Sequence, residues 1–257
     1  MLLFFQACAD SGFLDRTKKD ESILQGYTVA ASSPFAKSVV LIAQDSDLQK
    51  MNSQFFGICT GLIIARHTVL TAAHCVSSGT KQMKIILNPD PRSGLAAETE
   101  AFTVQGAPQI HSDQDVALID VTRDFPETSY FSDYLAEFSK SSFDEATVLG
   151  FGKTTHRKET ITEKFSAVNG VLLQAQIQLK NKNLKNSKFT IDQWNAGGVC
   201  KGDSGAPLLV NDDGVYKILA MAIDVRAKPD LQFNECSDQG IYLNIDILKP
   251  WIKAHLN

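Results

Sequence analysis

The sequence lacks the long hydrophobic run of a membrane-spanning helix, because no segment approaches about 18 consecutive apolar residues. It also lacks a basic excess: 25 Lys and Arg stand against 29 Asp and Glu, giving a formal net charge of −4 over 257 residues. A nucleic-acid partner is therefore not expected. No Cys-x-x-Cys pair is present, so the cysteine spacing gives no indication of a metal site.

The N-terminal residues 1–22 differ from the rest of the chain and predict a leader, tether or propeptide. Residues 2–5 resemble the end of a secretory signal peptide, and "QAC" resembles a bacterial lipoprotein box in which the cysteine becomes lipidated. Three alternatives remain open: membrane attachment through a lipidated Cys8, simple secretion, or neither of these. Residues 9–22 are polar and show no sustained period, as is typical of a flexible segment.

The number of cysteines is odd, at five: Cys8, Cys59, Cys75, Cys200 and Cys236. If Cys8 carries a lipid or is removed with a leader, the other four can form two disulfides in an oxidising compartment. The alternative is a set of buried free thiols in a cytosolic protein.

Short apolar runs separated by turn residues dominate the chain after residue 23, and they predict strands. β-branched and aromatic residues fill these runs, which favours an all-β barrel or sandwich architecture. The runs are 37–43, 55–65, 67–73, 83–88, 115–121, 146–152, 171–179, 206–210, 216–223 and 240–245. Apolar residues at helical spacing over 246–256 predict one C-terminal amphipathic helix.

Three polar residues stand at the ends or starts of apolar runs: His74, Asp115 and Ser204. Each alone is typical of an ordinary structural position. In the order His, Asp, Ser they supply a base, an orienting acid and a nucleophile. This order differs from that of α/β-hydrolases, in which the nucleophile of a G-x-S-x-G motif comes first.

These residues lie in motifs that resemble those of the chymotrypsin/trypsin family of serine endopeptidases. The resemblance runs from about residue 23 to the C-terminus, and the motifs are "TAAHC", "DVALI", "GDSGAP", "VLGFG", "GIY" and "PWI". It implies two six-stranded antiparallel β-barrels packed perpendicular to each other, with a C-terminal helix and the site between them. The expected division is an N-terminal barrel over 23–135 and a C-terminal barrel with the helix over 136–257.

The resemblance implies a catalytic role for each motif residue. Ser204 is the expected nucleophile, His74 the general base, and Asp115 the acid that fixes the imidazole tautomer. The backbone N–H groups of Gly202 and Ser204 are expected to form the oxyanion hole. Cleavage before Ile23 would free an ammonium group that pairs with Asp203, so the uncut chain is expected to be a zymogen.

The resemblance also implies two disulfides. Cys59 would pair with Cys75 and hold the loop of the base, while Cys200 would pair with Cys236 beside the nucleophile. Such bridges agree with an extracytoplasmic location, whether secreted, periplasmic or lipid-anchored at the cell envelope.

The specificity pocket departs from the trypsin pattern. Gly198 occupies the position of the pocket-base aspartate, and Gly240 matches a glycine of the pocket wall. Ala222 and Asp224 take two further wall positions, and Ala206 replaces the last glycine of the nucleophile signature. We expect an apolar or small substrate residue at this pocket, rather than Arg or Lys.

The expected partner is a protein or peptide substrate, and the expected oligomeric state is a monomer without cofactor or metal. Two alternatives remain: a catalytically inactive binding or adhesion protein of the same fold, and a lipid-anchored surface protein whose β-structure is purely structural.

Overall fold

The computed structural model describes residues 26–30, 33–44, 58–76, 83–87, 101–126, 132–140, 142–152, 171–179, 186–193, 196–227, 236 and 238–256. The predicted leader, Cys8 and Ile23 lie outside these residues. Within the described part, fourteen strands and one short α-helix are present.

The strands follow the apolar runs of the sequence. They are β1 Tyr27–Thr28, β2 Val39–Gln44, β3 Cys59–Ala65, β4 Thr68–Thr71, β5 Met83–Leu87, β6 Ala101–Thr103, β7 Gln109–Ile110, β8 Ala117–Asp120, β9 Glu145–Gly150, β10 Leu173–Gln178, β11 Lys188–Asp192, β12 Pro207–Asp212, β13 Val215–Arg226 and β14 Gln239–Asn244. The helix is α1, Lys249–Ala254.

The first sheet has the strand order β6-β5-β2-β3-β4-β8-β7, and all its neighbours are antiparallel. An antiparallel bridge between Val104 and Val121 joins the ends of β6 and β8. Beside it, the Gln105 N–H donates to the Asp120 carbonyl at 2.7 Å. Six of the strands therefore close on themselves as a barrel, and β7 is an additional short strand along β8.

The second sheet has the order β1-β10-β9-β12-β13-β14-β11, again antiparallel throughout. Six of its strands, β9 to β14, are consecutive along the chain. The seventh, β1, pairs Tyr27 with Gln174 and Thr28 with Leu173. The all-β prediction with two antiparallel sheets is thus confirmed, and each sheet carries one short strand more than the six expected.

Apolar residues on both faces of the second sheet are buried, and they alternate between two clusters. Val148 of β9 and Leu208 of β12 belong to the interior cluster of this sheet. Their neighbours Leu149 and Leu209 belong to a second cluster, which also contains the core residues of the first sheet. Because successive strand residues point to opposite faces, continuous apolar runs build both cores.

The C-terminal helix is confirmed, in shorter form than predicted. A 3-10 turn over Asp246–Leu248 precedes α1, and Pro250 lies in the first helical turn, where its missing N–H is tolerated. Ile252 is buried in the cluster shared with the first sheet. The Gln109 side-chain amide donates to the His255 carbonyl at 3.3 Å, so the chain end packs on the first sheet.

Candidate active site

The three predicted catalytic residues lie in short connections at strand ends. His74 is in a 3-10 turn, Ala73–Cys75, that follows β4. Asp115 lies between β7 and β8, and Ser204 lies in the turn before β12. The first sheet thus supplies the imidazole and its carboxylate, while the second supplies the hydroxyl.

His74 and Asp115 make two hydrogen bonds with each other. The ring Nδ1 of His74 lies 2.7 Å from Asp115 Oδ2, and the His74 backbone N–H donates to Asp115 Oδ1 at 3.0 Å. An ionised carboxylate only accepts hydrogen bonds, so Nδ1 carries the proton. The neutral ring is then unprotonated at Nε2, the form that a general base requires.

The interaction between His74 and Asp115 shifts the pKa of both residues. The hydrogen bond that His74 donates to Asp115 raises the pKa of His74; burial opposes the shift, and the charges of Asp115 and Asp224 reinforce it. Burial raises the pKa of Asp115, but its hydrogen bonds and charge interaction with His74 outweigh that effect and lower the pKa overall. The carboxylate therefore stays ionised while the imidazole becomes a stronger base.

Ser204 lines the same cleft as His74 and Asp115. The cleft has a volume of about 520 Å³. Its other lining residues are Lys188, Ile223, Asp224, Arg226 and Ile241. This volume falls within the range of about 300–1,000 Å³ that is typical of ligand sites.

A tight turn presents Ser204. The Asp203 N–H donates to the Cys200 carbonyl at 3.0 Å, and the Ala206 N–H donates to the Asp203 carbonyl at 2.8 Å. Gly202 and Gly205 have φ angles of +99° and +87°, a backbone region that side chains disfavour. The glycines on both sides of the serine are therefore a requirement of the turn.

Thr60, on β3, anchors this turn to the first sheet. Its N–H donates to the Ser204 carbonyl at 2.8 Å, and its hydroxyl donates to the Gly202 carbonyl at 3.1 Å. A Cβ at Gly205 would lie 2.0 Å from the Thr60 carbonyl oxygen, so this approach has no room for a side chain. Thr60 lies within an apolar run, and nothing in the sequence identifies it as a residue that anchors the turn.

The N–H groups of Gly202 and Ser204 have no acceptor within the part of the chain that the structure describes. Both flank the serine hydroxyl on the same turn. They are consequently available to a ligand, as the oxyanion-hole prediction requires.

Asp203 is buried beneath the turn, with 1% of its surface exposed. Its Oδ1 accepts from the Gly152 N–H at 2.8 Å and its Oδ2 from the Cys200 N–H at 2.9 Å. Burial raises its pKa to about 7, and the two hydrogen bonds only partly oppose this. Its predicted partner, Ile23, lies outside the described residues.

Two disulfides support the site, in the pairing that the resemblance implies. Cys59 is bonded to Cys75 and Cys200 to Cys236, with Cα–Cα distances of 6.1 and 5.2 Å. The Sγ atoms of the first pair lie close to the His74 ring. Because these sulfurs are bonded to each other, they offer no thiolate to a metal.

The predicted pocket residues divide into two groups. Ala222 and Asp224 line a cavity of about 60 Å³ next to Ser204. Gly198 and Gly240 do not line it. The side chain of Gln193, which the sequence does not distinguish from any polar residue after a strand, fills the space beside both glycines.

Comparison with known proteins supports the relationship that the site geometry suggests. The protein-family model described as Trypsin matches residues 42–252. The chain belongs to the trypsin family. It is a trypsin-like serine endopeptidase by family, and members of this family act on protein or peptide substrates.

Several relatives of this trypsin-family chain are serine proteases of animals. Snake venom serine protease 3 of Protobothrops jerdonii is 26% identical over 247 residues, covering 92% of this chain and 88% of the relative. CLIP domain-containing serine protease B9 of Anopheles gambiae is 28% identical over 234 residues, covering 77% and 55%. Kallikrein 1-related peptidase b11 of Mus musculus is 25% identical over 225 residues, covering 76% and 79%.

The two disulfides indicate that this trypsin-family chain is an extracellular protein, since such bridges persist in oxidising compartments. Among the described residues, no helix has the length and apolar character needed to cross a membrane.

Proposed function

We propose that this chain hydrolyses peptide bonds through His74, Asp115 and Ser204. The observation that carries the proposal is the doubly hydrogen-bonded His74–Asp115 pair in the cleft that Ser204 lines. A serine hydroxyl is a weak nucleophile near neutral pH, and an adjacent neutral imidazole removes that limitation.

In the proposed reaction, Ser204 Oγ attacks the carbonyl carbon of the scissile bond and its proton passes to His74 Nε2. The imidazolium, stabilised by Asp115, then gives the proton to the leaving amine, and an acyl-enzyme ester remains. Water attacks this ester while His74 accepts its proton. The proton returns to Ser204 Oγ as the acid product leaves.

The oxyanion that forms in each attack would bind to the N–H groups of Gly202 and Ser204. Both groups lack an acceptor within the described chain, so no protein acceptor competes with the oxyanion for them. Losing one such donor costs about 3–4 kcal/mol of transition-state stabilisation in a related reaction.

We also propose that the chain matures by cleavage before Ile23. Asp203 is buried with a raised pKa, and within the described chain only backbone N–H groups stabilise its charge. A new ammonium group delivered to this carboxylate would lower its pKa and compensate its desolvation. The ion pair would then hold the nucleophile turn in its active form.

The finer cellular details belong to the same proposal. We expect a monomer that is secreted, periplasmic or anchored to the cell envelope through a lipidated Cys8. Residues 1–22 would serve as leader, tether or propeptide, followed by barrels over 23–135 and 136–257.

The test is labelling of the native protein with a fluorophosphonate probe, together with its N-terminal sequence. We expect one stoichiometric label, lost in Ser204→Ala, on protein that begins at Ile23. Absence of both labelling and peptide hydrolysis would favour the binding-protein alternative, for which Ala206 and Ala222 are the supporting departures. Full activity in protein that retains residues before Ile23 would refute the zymogen proposal.

A further inference from the structure

Gln193, directly after β11, is a fully buried amide with three well-defined hydrogen bonds. Its Nε2 donates to the carbonyls of Val199 and Cys236, at 2.9 and 2.7 Å. Its Oε1 accepts from the Val199 N–H at 2.7 Å. Because its exposed surface is 0%, these contacts fix the amide in one place.

That place is the space between the two glycines expected at the base and wall of the specificity pocket. A Cβ built on Gly198 would lie 2.4 Å from Gln193 Oε1, and one built on Gly240 would lie 2.5 Å from the same oxygen. Real Cβ atoms do not approach so closely. The Gln193 amide therefore occupies the volume that the two glycines leave open.

The cavity that remains beside Ser204 is small. Its volume is about 60 Å³, and it is lined by Ala222 and Asp224 but by neither glycine. For comparison, a cavity of about 150 Å³ accommodates a benzene ring, and one water molecule takes up about 30 Å³ of the liquid. The cavity thus has room for a methyl or hydroxymethyl group and not for an aromatic or long basic side chain.

We propose that Gln193 limits the depth of the pocket that receives the P1 residue, the substrate residue whose carbonyl Ser204 attacks, by filling the space behind Val199, which lines the cavity and is hydrogen-bonded to the Gln193 amide. By filling the space beside Gly198 and Gly240, Gln193 restricts P1 to small side chains such as those of Ala and Ser. Asp203 and Asp224 also line this cavity, so the exclusion of Lys and Arg follows from the length of their side chains and not from the charge of the pocket. This inference rests on the proposed peptidase function.

The first test compares peptide substrates that differ only at P1, using protein whose active sites have been counted by fluorophosphonate labelling. One methylene in a pocket changes selectivity by about 10–200-fold. We therefore expect kcat/KM for Ala at P1 to exceed that for Phe and for Lys by at least about 10-fold. A preference for Phe, Leu, Lys or Arg would overturn the inference.

The second test uses two variants that both remove the Gln193 hydrogen bonds. Gln193→Ala also removes the bulk of the side chain, whereas Gln193→Met retains its length. We expect the Phe-to-Ala ratio of kcat/KM to rise by at least about 10-fold in Gln193→Ala and to stay near the parent value in Gln193→Met. An equal Phe-to-Ala ratio of kcat/KM in Gln193→Ala and in the parent would contradict the proposal that Gln193 limits the depth of the pocket.

The two proposals fail in different ways. Without fluorophosphonate labelling or hydrolysis of any peptide, the peptidase function itself is wrong. With labelling and a preference for large P1 residues, the chemistry stands and the role of Gln193 is wrong. Should Gln193→Ala not fold, the P1 series on the native protein decides the question.

Discussion

Asp115→Asn tests whether the two hydrogen bonds between Asp115 and His74 determine the reactive form of the imidazole. The His74 backbone N–H is a donor, and it lies 3.0 Å from Asp115 Oδ1. In the variant, this N–H retains an acceptor only if the Asn carbonyl oxygen takes that position. The Asn amide nitrogen, also a donor, then faces His74 Nδ1, which lies 2.7 Å from the other carboxylate oxygen in the native chain.

A donor at that position requires Nδ1 to be unprotonated, so the proton of the neutral ring moves to Nε2. An Nε2–H cannot accept the proton of Ser204. The corresponding change in the serine-protease mechanism lowers kcat by about 10⁴-fold, which is about 5 kcal/mol of barrier. The variant also removes the hydrogen bond to the Asp115 carboxylate and the charge of that carboxylate, which both raise the pKa of His74, so we expect any remaining activity to extend to lower pH.

The assay is kcat for a peptide with Ala at P1, normalised to labelled active sites or to folded protein. Asp113→Asn is the matched control, because Asp113 lies in the same loop and its carboxylate accepts from Ser112 Oγ rather than from His74. We expect the control to retain parent activity. Activity of Asp115→Asn within about 10-fold of the parent would refute the tautomer argument.

Three further predictions concern pH, crosslinking and the nucleophile turn. His74 acts as a neutral base, and its pKa is raised above 6.5. In a pH profile, kcat/KM should therefore fall on acidification with a midpoint above 6.5. A midpoint below that value would contradict the interaction between His74 and Asp115. Replacing both Cys59 and Cys75 by Ala opens a link between residues 16 positions apart, and denaturant titration should give a loss of about 3 kcal/mol of unfolding free energy in the chain-entropy model. An unchanged free energy of unfolding would show that this disulfide does not stabilise the fold. In Gly205→Ala the new methyl group would lie 2.0 Å from a backbone oxygen, so this variant should fail to give soluble, labelled protein. The control Ala206→Gly should fold and lose only about 1 kcal/mol of unfolding free energy. Equal yields of soluble protein from the two variants would disprove the close approach at Gly205.

The sequence predicts the fold class because its apolar runs are short, rich in β-branched residues and separated by turn residues. It does not reveal that β1 joins the second sheet, because two residues such as Tyr27 and Thr28 carry no pairing information of their own. It also gives no sign that Val148 and Leu149 belong to different cores. That division depends on which layer packs against each face of the sheet.

The candidate site shows the same distinction. His74, Asp115 and Ser204 could be selected from the sequence because the chemistry requires those residue types, and their local motifs are specific. The resemblance also assigned Gly198 and Gly240 to the pocket, but the side chain of Gln193 fills the space beside both, and neither lines the cavity next to Ser204. Gln193 could not be selected from the sequence, because a polar residue after a strand is ordinary until its surroundings are known.

The sequence by itself determined the chemical groups, their order along the chain and the β-rich architecture, since these depend on residue type and local pattern. Only the tertiary structure decided the depth of the pocket. That depth depends on volume, and volume is set by side chains that come together from distant strands, as the buried amide of Gln193 does beside Gly240.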